Sequence, residues 1–191
     1  MTTNGEIKRW IVLEEEDVSP SPWFPILRHK VQLQNGHIID DYFFSPLGDV
    51  VMIIALNSKH EVALVKQYKH GLSDILLEIP GGMQQKGKSV IDSALNELEE
   101  ETGIKVTADD LIPLGKLANN TTKTKQVTYG YIVFNAEVNT VQKFDVTECI
   151  EVVKVPATKV LQMVKDGEIW TVDSSAFILK AALMYPEVFG V

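Results

Sequence analysis

Cysteine is almost missing from this chain of 191 residues, in which Cys149 is the only one. A single cysteine excludes an internal disulfide and a cysteine-based zinc site, and it fits a reducing compartment. The sequence also has no apolar run of transmembrane length, and its opening residues, MTTNGEIKRW, lack the apolar segment of a signal peptide. We therefore expect a cytoplasmic protein with no membrane partner.

Positively charged residues are fewer than negatively charged ones. The chain has 18 Lys and Arg residues against 26 Asp and Glu, which gives a net charge of -8 and a pI near 5.0. This balance argues against nucleic acid or an anionic membrane surface as a partner. The sequence contains no repeats and no low-complexity linker, and its hydrophobic content of 45% is ample for a core. The length suits one domain with a small N-terminal appendage.

The most informative segment, residues 81–104, reads GGMQQKGKSVIDSALNELEEETGI. Ser89 is a favourable helix N-cap, and Gly103 suits the left-handed position that follows a helix. The sequence therefore predicts a helix between these two residues. At 3.6 residues per turn, its apolar stripe comprises Val90, Ile91, Ala94, Leu95 and Leu98.

Acidic residues share that helix with the apolar stripe. Glu101 falls inside the stripe, and Glu97 lies one turn earlier at its edge, so the two carboxylates repel each other at i,i+4 spacing. Burying a carboxylate is costly unless a partner compensates for it. A divalent cation such as Mg²⁺ or Mn²⁺, which prefers oxygen ligands, would offset both the repulsion and the cost of burial. The alternative is that ELEEETG is a solvated acidic helix end, because acidic runs usually face solvent.

The segment resembles a Nudix box, which has the pattern Gly, five residues, Glu, seven residues, then Arg-Glu-aliphatic-x-Glu-Glu-x-Gly-aliphatic. From Gly82 onward the chain matches at Gly82, Glu97, Leu98, Glu100, Glu101, Gly103 and Ile104. It departs from the pattern twice, with Lys88 in place of the first Glu and Asn96 in place of the Arg. In the family these two positions hold the loop and orient the metal-binding Glu. We therefore expect a metal-competent site with weakened support.

The flanking sequence resembles the ADP-ribose pyrophosphatase-like branch of that family. The similar stretches are VQLQNGHIIDDYFF, VALVKQYKHG, LLEIPGG and VPATKVLQMVKDGEI. The resemblance implies an α+β fold, a Nudix-like α/β/α sandwich with a mixed β-sheet between helices and an N-terminal antiparallel β extension. It also implies two domains, a dimer-forming β extension at 1–45 and a catalytic domain at 46–191.

Local patterns agree with a mixed order of strands and helices. Asn35-Gly36 is a strong two-residue turn signal, and it predicts a hairpin. Helices are predicted at Thr158–Lys165 and Ser174–Tyr185, the latter capped by Asp173 or Ser174. Strands are predicted near residues 8–14, 27–34, 37–45, 50–56, 61–68, 76–79, 111–117, 126–138 and 149–155.

The resemblance implies hydrolysis of a pyrophosphate bond in a nucleoside diphosphate derivative, with ADP-ribose or an ADP- or GDP-sugar as the leading substrate class. Glu148 is the first candidate for the general base and Asp145 the second, and either could equally be a surface acid. The residues that would hold Mg²⁺ or Mn²⁺ are Gly81, through its carbonyl, and Glu97, Glu100 and Glu101, with Glu100 also assigned to catalysis.

Four residues are candidates for contact with the substrate. Gln67, Lys69 and Gly82 lie where the related branch contacts phosphates or base, although a solvated strand end explains the first two equally well. Trp23 could stack on a purine across a homodimer. Core packing of Trp23 and Phe24 is the simpler expectation.

The sequence is also compatible with two other functions. Lys88 and Asn96 favour a catalytically weak or inactive Nudix-fold protein that binds a nucleotide derivative as a sensor. An acidic interaction module without a ligand would leave the Pro-Gly-Gly segment and the capped helix unexplained.

Overall fold

The computed structural model describes residues 6–144 and 149–191, which form two compact units. The first unit comprises Met1–Gly48 and Ala118–Gln126, and the second comprises Asp49–Leu117 and Val127–Val191. Asp145 and Glu148, the two candidates for the general base, lie outside the described residues.

The first unit is built on a three-stranded antiparallel sheet in the order β1-β2-β3. Its strands are β1 (Ile11–Asp17), β2 (Leu27–Gln32) and β3 (Ile38–Phe44). The predicted hairpin turn is present, with Gly36 at a φ of 85°. Residues 118–126 join this unit through Ser45, whose N–H donates to the Lys123 carbonyl and whose carbonyl accepts from the Lys125 N–H.

The aromatic pair between β1 and β2 does not pack into a core, so that expectation was wrong. Trp23 is 89% exposed and Phe24 is 52% exposed. The chain turns tightly at Ser21–Phe24, where the Phe24 N–H donates to the Ser21 carbonyl. Trp23 therefore lies within a turn rather than in a strand that faces a core.

The described part of the second unit contains two small sheets. One is antiparallel, in the order β10-β5-β6, and the other is mixed, in the order β7-β4-β9-β8. In the mixed sheet, β4 pairs antiparallel with β7 and parallel with β9. The strands are β4 (Val50–Ala55), β5 (Glu61–Lys69), β6 (Asp74–Glu78), β7 (Gly81–Met83), β8 (Ile112–Ala118), β9 (Val127–Val133) and β10 (Ile150–Pro156).

Among its described residues, the second unit also contains four α-helices and a short 3-10 helix at Ala108–Asp110. The α-helices are α1 (Val90–Thr102), α2 (Ala157–Asp166), α3 (Val172–Met184) and α4 (Pro186–Phe189). The caps predicted for α1 are present. The Ser89 side chain accepts a hydrogen bond from the Asp92 N–H, and Gly103 has a left-handed φ of 71°.

The cap predicted for α3 was wrong, because α3 begins after Thr171 and has no side-chain cap. Asp173 and Ser174 have tertiary partners instead. The Thr128 hydroxyl donates to Asp173 at 3.1 Å, and the Ser174 hydroxyl accepts from the Ile79 N–H at 3.3 Å. Partners that are distant in sequence override the local capping preference here.

The core lies on both faces of β4, whose side chains alternate between the two. Val51 and Ile53 pack with Ala94 and Leu98 of α1. Met52 and Ile54 face the opposite cluster, which includes Val160, Phe177 and Phe189 from the other three helices. The expected mixed sheet between helices is therefore confirmed. One member of the predicted stripe was wrong, since Ile91 is 40% exposed.

Across the described residues, we find no helix that is both long enough and apolar enough to span a bilayer.

Candidate active site

The site is organised around two glycines at the start of β7. Gly81 pairs with Met52 and Gly82 with Val51 of the neighbouring strand. A Cβ on Gly81 would lie 2.1 Å from the Val51 carbonyl oxygen, far inside van der Waals contact. Only glycine therefore allows β7 to approach β4 this closely.

Two acids of α1 face this glycine segment. Glu101 is only 4% exposed, and its Oε2 accepts a hydrogen bond from the Gly81 N–H at 2.8 Å. The carboxylate of Glu97 lies over Gly82, where an added Cβ would be 2.5 Å from Oε2. The face of α1 that packs on the sheet thus carries both carboxylates to one point, as the helical spacing predicted.

Glu100 lies at the end of α1, where a later segment is attached. The Lys143 N–H donates to the Glu100 carbonyl at 2.9 Å, and the Gln142 side chain donates to the Glu101 carbonyl at 2.6 Å. These bonds satisfy carbonyls that a helix C-terminus leaves without intrahelical partners. The chain leading to residues 145–148 therefore starts at the acidic end of α1.

The loop between β7 and α1 is organised by Gln85, a residue that the sequence analysis did not single out. Its Oε1 accepts hydrogen bonds from the Lys88 ammonium and, at 3.1 Å, from the Asn96 side chain. Its Nε2 donates to Glu97 Oε1 at 3.5 Å. Both departures from the Nudix box pattern thus meet at one amide that also contacts Glu97. The sequence shows that Gln85 is long enough and has the donor and acceptor groups for these bonds. Its spacing from Lys88, Asn96 and Glu97 did not predict that they would contact one another.

A cleft of about 270 Å³ opens beside the two glycines. Gln67 and Lys69 line it together with Gly81 and Gly82, so the second unit brings these four predicted residues into one place. Glu78 lies in the same cleft, with its carboxylate 3.4 Å from Lys69 Nζ. Sequence reasoning missed Glu78, although it directly precedes the Ile-Pro-Gly-Gly segment.

The opposite wall of the cleft comes from the start of α3. Thr171 and Asp173 line it, and sequence reasoning assigned neither of them to the site. The Thr171 hydroxyl is buried and has no hydrogen-bond partner within the described residues. Asp173 was considered only as a helix cap, and its position in the cleft follows from a fold in which α3 packs beside β4.

The donor set fits a hard divalent cation in its chemistry. The side chains of Glu97 and Glu101, and the carbonyl of Gly81, offer only oxygen atoms, which Mg²⁺ and Mn²⁺ prefer. The burial of Glu101 further fits a role in holding a cation, since buried carboxylates need compensation. However, within residues 6–144 and 149–191, no three or more His, Cys, Asp or Glu side chains converge as a metal-binding group.

Two family models account for most of the chain. The NUDIX domain model matches residues 46–172, and the model of the nucleoside diphosphate sugar hydrolase N-terminal domain matches residues 10–45.

Individual proteins agree with these matches. The chain is 30% identical over 144 residues to the ADP-ribose pyrophosphatase of Bacillus subtilis (strain 168). The alignment covers 73% of this chain and 75% of that protein. The chain is 26% identical over 158 residues to the methanol dehydrogenase activator of Bacillus methanolicus, spanning 82% and 83% of the two chains. A crystal structure of an ADP compounds hydrolase shares the fold, with a TM-score of 0.84 at 19% identity over 96% of this chain and 97% of that one.

These matches confirm the family resemblance and the hydrolase class that the sequence predicted. In β7 and α1, Glu101 thus contacts Gly81, and Glu97 lies over Gly82, the first glycine of the box. The chain belongs to the Nudix hydrolase family, in its ADP-ribose pyrophosphatase-like branch.

Proposed function

We propose that this chain hydrolyses the pyrophosphate bond of a nucleoside diphosphate derivative of the ADP-ribose or ADP-sugar type. The observation that carries the proposal is the juxtaposition of Glu97 and Glu101 with the glycines that line the cleft. The names of the relatives support the substrate class, since they specify ADP-ribose and ADP compounds. GDP-sugars remain the second choice within the same class.

Nudix hydrolases generally use divalent metal ions, and we propose Mg²⁺ or Mn²⁺ here. Glu97, Glu100, Glu101 and the Gly81 carbonyl would hold the cation. A bound cation of this kind neutralises the diphosphate and lowers the pKa of a bound water. The three acids belong to α1, which packs on β4 in the core, and Gly81 belongs to β7, which pairs with β4.

The cleft residues would bind and orient the substrate. Lys69 offers a positive charge to a phosphate, and its present partner, Glu78, is a single carboxylate at 3.4 Å. Gln67 can donate its amide hydrogens to a phosphate or to the base. Gly82 lines the cleft with its backbone, and the carboxylate of Glu97 fills the space that a side chain there would need.

Glu148 remains our proposal for the general base, with Asp145 as second choice. Support comes from the described residues on each side. Lys143 is attached to the end of α1, and Ile150 of β10 pairs with Gln67, which lines the cleft. The described residues on either side of Glu148 thus lie at the acidic helix end and beside the proposed substrate site.

A screen of nucleoside diphosphate derivatives with Mg²⁺ and with Mn²⁺ tests this proposal. Release of a phosphatase-sensitive product would be measured for ADP-ribose, ADP-glucose, GDP-mannose and NADH, with each metal and with EDTA. We expect turnover of ADP-ribose or an ADP-sugar with metal, and none with EDTA. A protein that hydrolyses none of these compounds with either metal would overturn the proposal.

Binding without turnover is the second candidate function. Two observations favour it, namely the departures at Lys88 and Asn96 and the lack of a converged three-acid group among the described residues. Calorimetric titration of the same compounds separates the two functions. Saturable binding with no product release would establish a sensor rather than an enzyme.

We further propose that the protein is a cytoplasmic homodimer. All seven residues of β1 are exposed in the single chain, and they include Ile11, Val12 and Leu13. Trp23, at 89% exposure, is available to a partner in the same way. Exposed apolar residues on one small sheet are typical of an interaction surface.

A further inference from the structure

We infer that Gln85 is a positioning residue for Glu97, and that it replaces the Glu and Arg that the Nudix box pattern would place at Lys88 and Asn96. This inference rests on the proposed function, since it concerns how a metal-binding Glu is oriented. It also changes the expectation of weakened support, because a different set of side chains supplies that support.

The orientation of the Gln85 amide follows from the chemistry of its partners. The Lys88 ammonium can only donate hydrogen bonds, so the atom that faces it must be the amide oxygen. The amide nitrogen must then point the other way, where the Glu97 carboxylate can only accept. The Asn96 side chain donates to the same amide oxygen at 3.1 Å.

The loop backbone holds Gln85 in place independently of its side chain. The Gln85 N–H donates to the Ser93 hydroxyl at 3.1 Å, and its carbonyl accepts from the Lys88 N–H at 3.0 Å. Gly87, with a left-handed φ of 81°, allows this tight turn. The backbone of Gln85 is therefore held in position, and its side chain extends from the loop to Glu97.

Lys88 has an active part in this arrangement. A cation bonded to an amide oxygen polarises the amide, and this strengthens the hydrogen bond that the amide nitrogen donates. The Lys88 ammonium thus acts on Glu97 through Gln85. A Glu at position 88 could only accept from Gln85 and would draw the amide nitrogen away from Glu97, so this orientation of Gln85 depends on Lys88.

The test measures Mn²⁺ binding to the full-length protein by electron paramagnetic resonance, with Mn²⁺ alone as the probe. Gln85→Met keeps the length of the side chain and removes its hydrogen bonds. Loss of an outer-shell partner typically weakens metal affinity by about 10–100-fold, and we expect a loss in that range. Urea unfolding without metal should remain close to wild type, because Gln85 is only half-buried.

The neighbouring Gln84 provides a matched control. Its side chain donates to the Lys88 carbonyl at 2.9 Å and holds the loop rather than Glu97. Gln84→Met should therefore retain wild-type Mn²⁺ affinity. An equal loss of affinity in Gln84→Met and Gln85→Met would assign the effect to loop stability and overturn the inference.

A second background tests whether Gln85 acts in place of the missing pair. Lys88→Glu with Asn96→Arg restores the family pattern, and adding Gln85→Met to that double variant should leave Mn²⁺ affinity unchanged. The same loss in both backgrounds, or no loss in either, would overturn the inference. A wild type that binds no Mn²⁺ would instead overturn the proposed function itself, so the two failures are distinguishable.

Discussion

The Glu97 carboxylate occupies the space that a side chain at Gly82 would need. A Cβ there would lie 2.5 Å from Oε2 and 2.7 Å from the carboxyl carbon. The atoms that must give way belong to the end of a flexible side chain, so Gly82→Ala should fold but displace the carboxylate. We expect a loss of Mn²⁺ affinity of about tenfold or more.

Gly71→Ala is the matched control for that change, because an added Cβ at Gly71 meets nothing within 4 Å. Both variants would be titrated with Mn²⁺ and unfolded with urea. If Gly82→Ala binds Mn²⁺ with wild-type affinity, the position of Glu97 over Gly82 does not contribute to metal affinity.

Metal binding should also raise the melting temperature, since a ligand that binds only the folded state stabilises it. Glu97→Gln combined with Glu101→Gln should remove the rise that Mn²⁺ or Mg²⁺ produces in the wild type. Glu99→Gln is the control on the same helix, because Glu99 pairs with Lys105 at 3.1 Å. Equal metal-induced shifts in the wild type and the double variant would contradict the assignment of these two acids.

Lys69 should contribute to substrate affinity. Lys69→Met removes a positive charge from the cleft, and a hydrogen bond to a charged group contributes about 1.5–3 kcal/mol. KM should therefore rise by about tenfold or more, with a smaller effect on kcat. Lys66→Met is the comparison on the same strand, since Lys66 pairs with Glu151 and does not line the cleft. Similar kinetics for the two variants would argue against Lys69 as a phosphate ligand.

Gly130 should be essential for packing rather than for chemistry. A Cβ at Gly130 would lie 2.1 Å from the ring of Phe177, which is fully buried and has little room to move. Overpacking of this kind typically costs about 1–3 kcal/mol, so Gly130→Ala should lower the free energy of unfolding by that amount. Adding Phe177→Leu should recover part of the loss. Unchanged stability in urea would mean that α3 shifts freely on β9.

The proposed dimer makes a prediction about mass. Light scattering at micromolar concentration should give twice the chain mass of 21.3 kDa. Val12→Lys with Leu13→Lys, in the exposed strand β1, should shift the protein toward the monomer by placing charges on the apolar surface. A monomeric wild type would rule out the dimer and any role for Trp23 across it.

The elements with strong local signals were predictable from the sequence. Ser89 and Gly103 define α1 because capping acts over a few residues, and the Asn35-Gly36 turn specifies its hairpin for the same reason. The positions of Glu97 and Glu101 on the inner face of α1 follow from helical periodicity alone. The strand predicted at 126–138 was too long, since β9 ends at Val133 and Asn135 turns the chain with a positive φ of 54°.

The parts of the site that depend on tertiary packing were not predictable. Asp173 and Thr171 enter the cleft because α3 packs beside β4, and no local pattern encodes that placement. The strand β7 was missed because three residues are too few to show an alternating pattern. Gln85 was missed for a similar reason, since its partners are identified by three-dimensional proximity.

The neutral amide of Gln85 also has a consequence for the response to ionic strength. A Glu–Arg pair in an exposed loop is screened by salt, because the Debye length falls to about 3 Å at 1 M. The contacts that replace it here are hydrogen bonds of the uncharged Gln85 amide, at 3.1 Å from Asn96 and 3.5 Å to Glu97. The orientation of Glu97 should therefore change less with salt concentration than it would if a Glu–Arg pair held it.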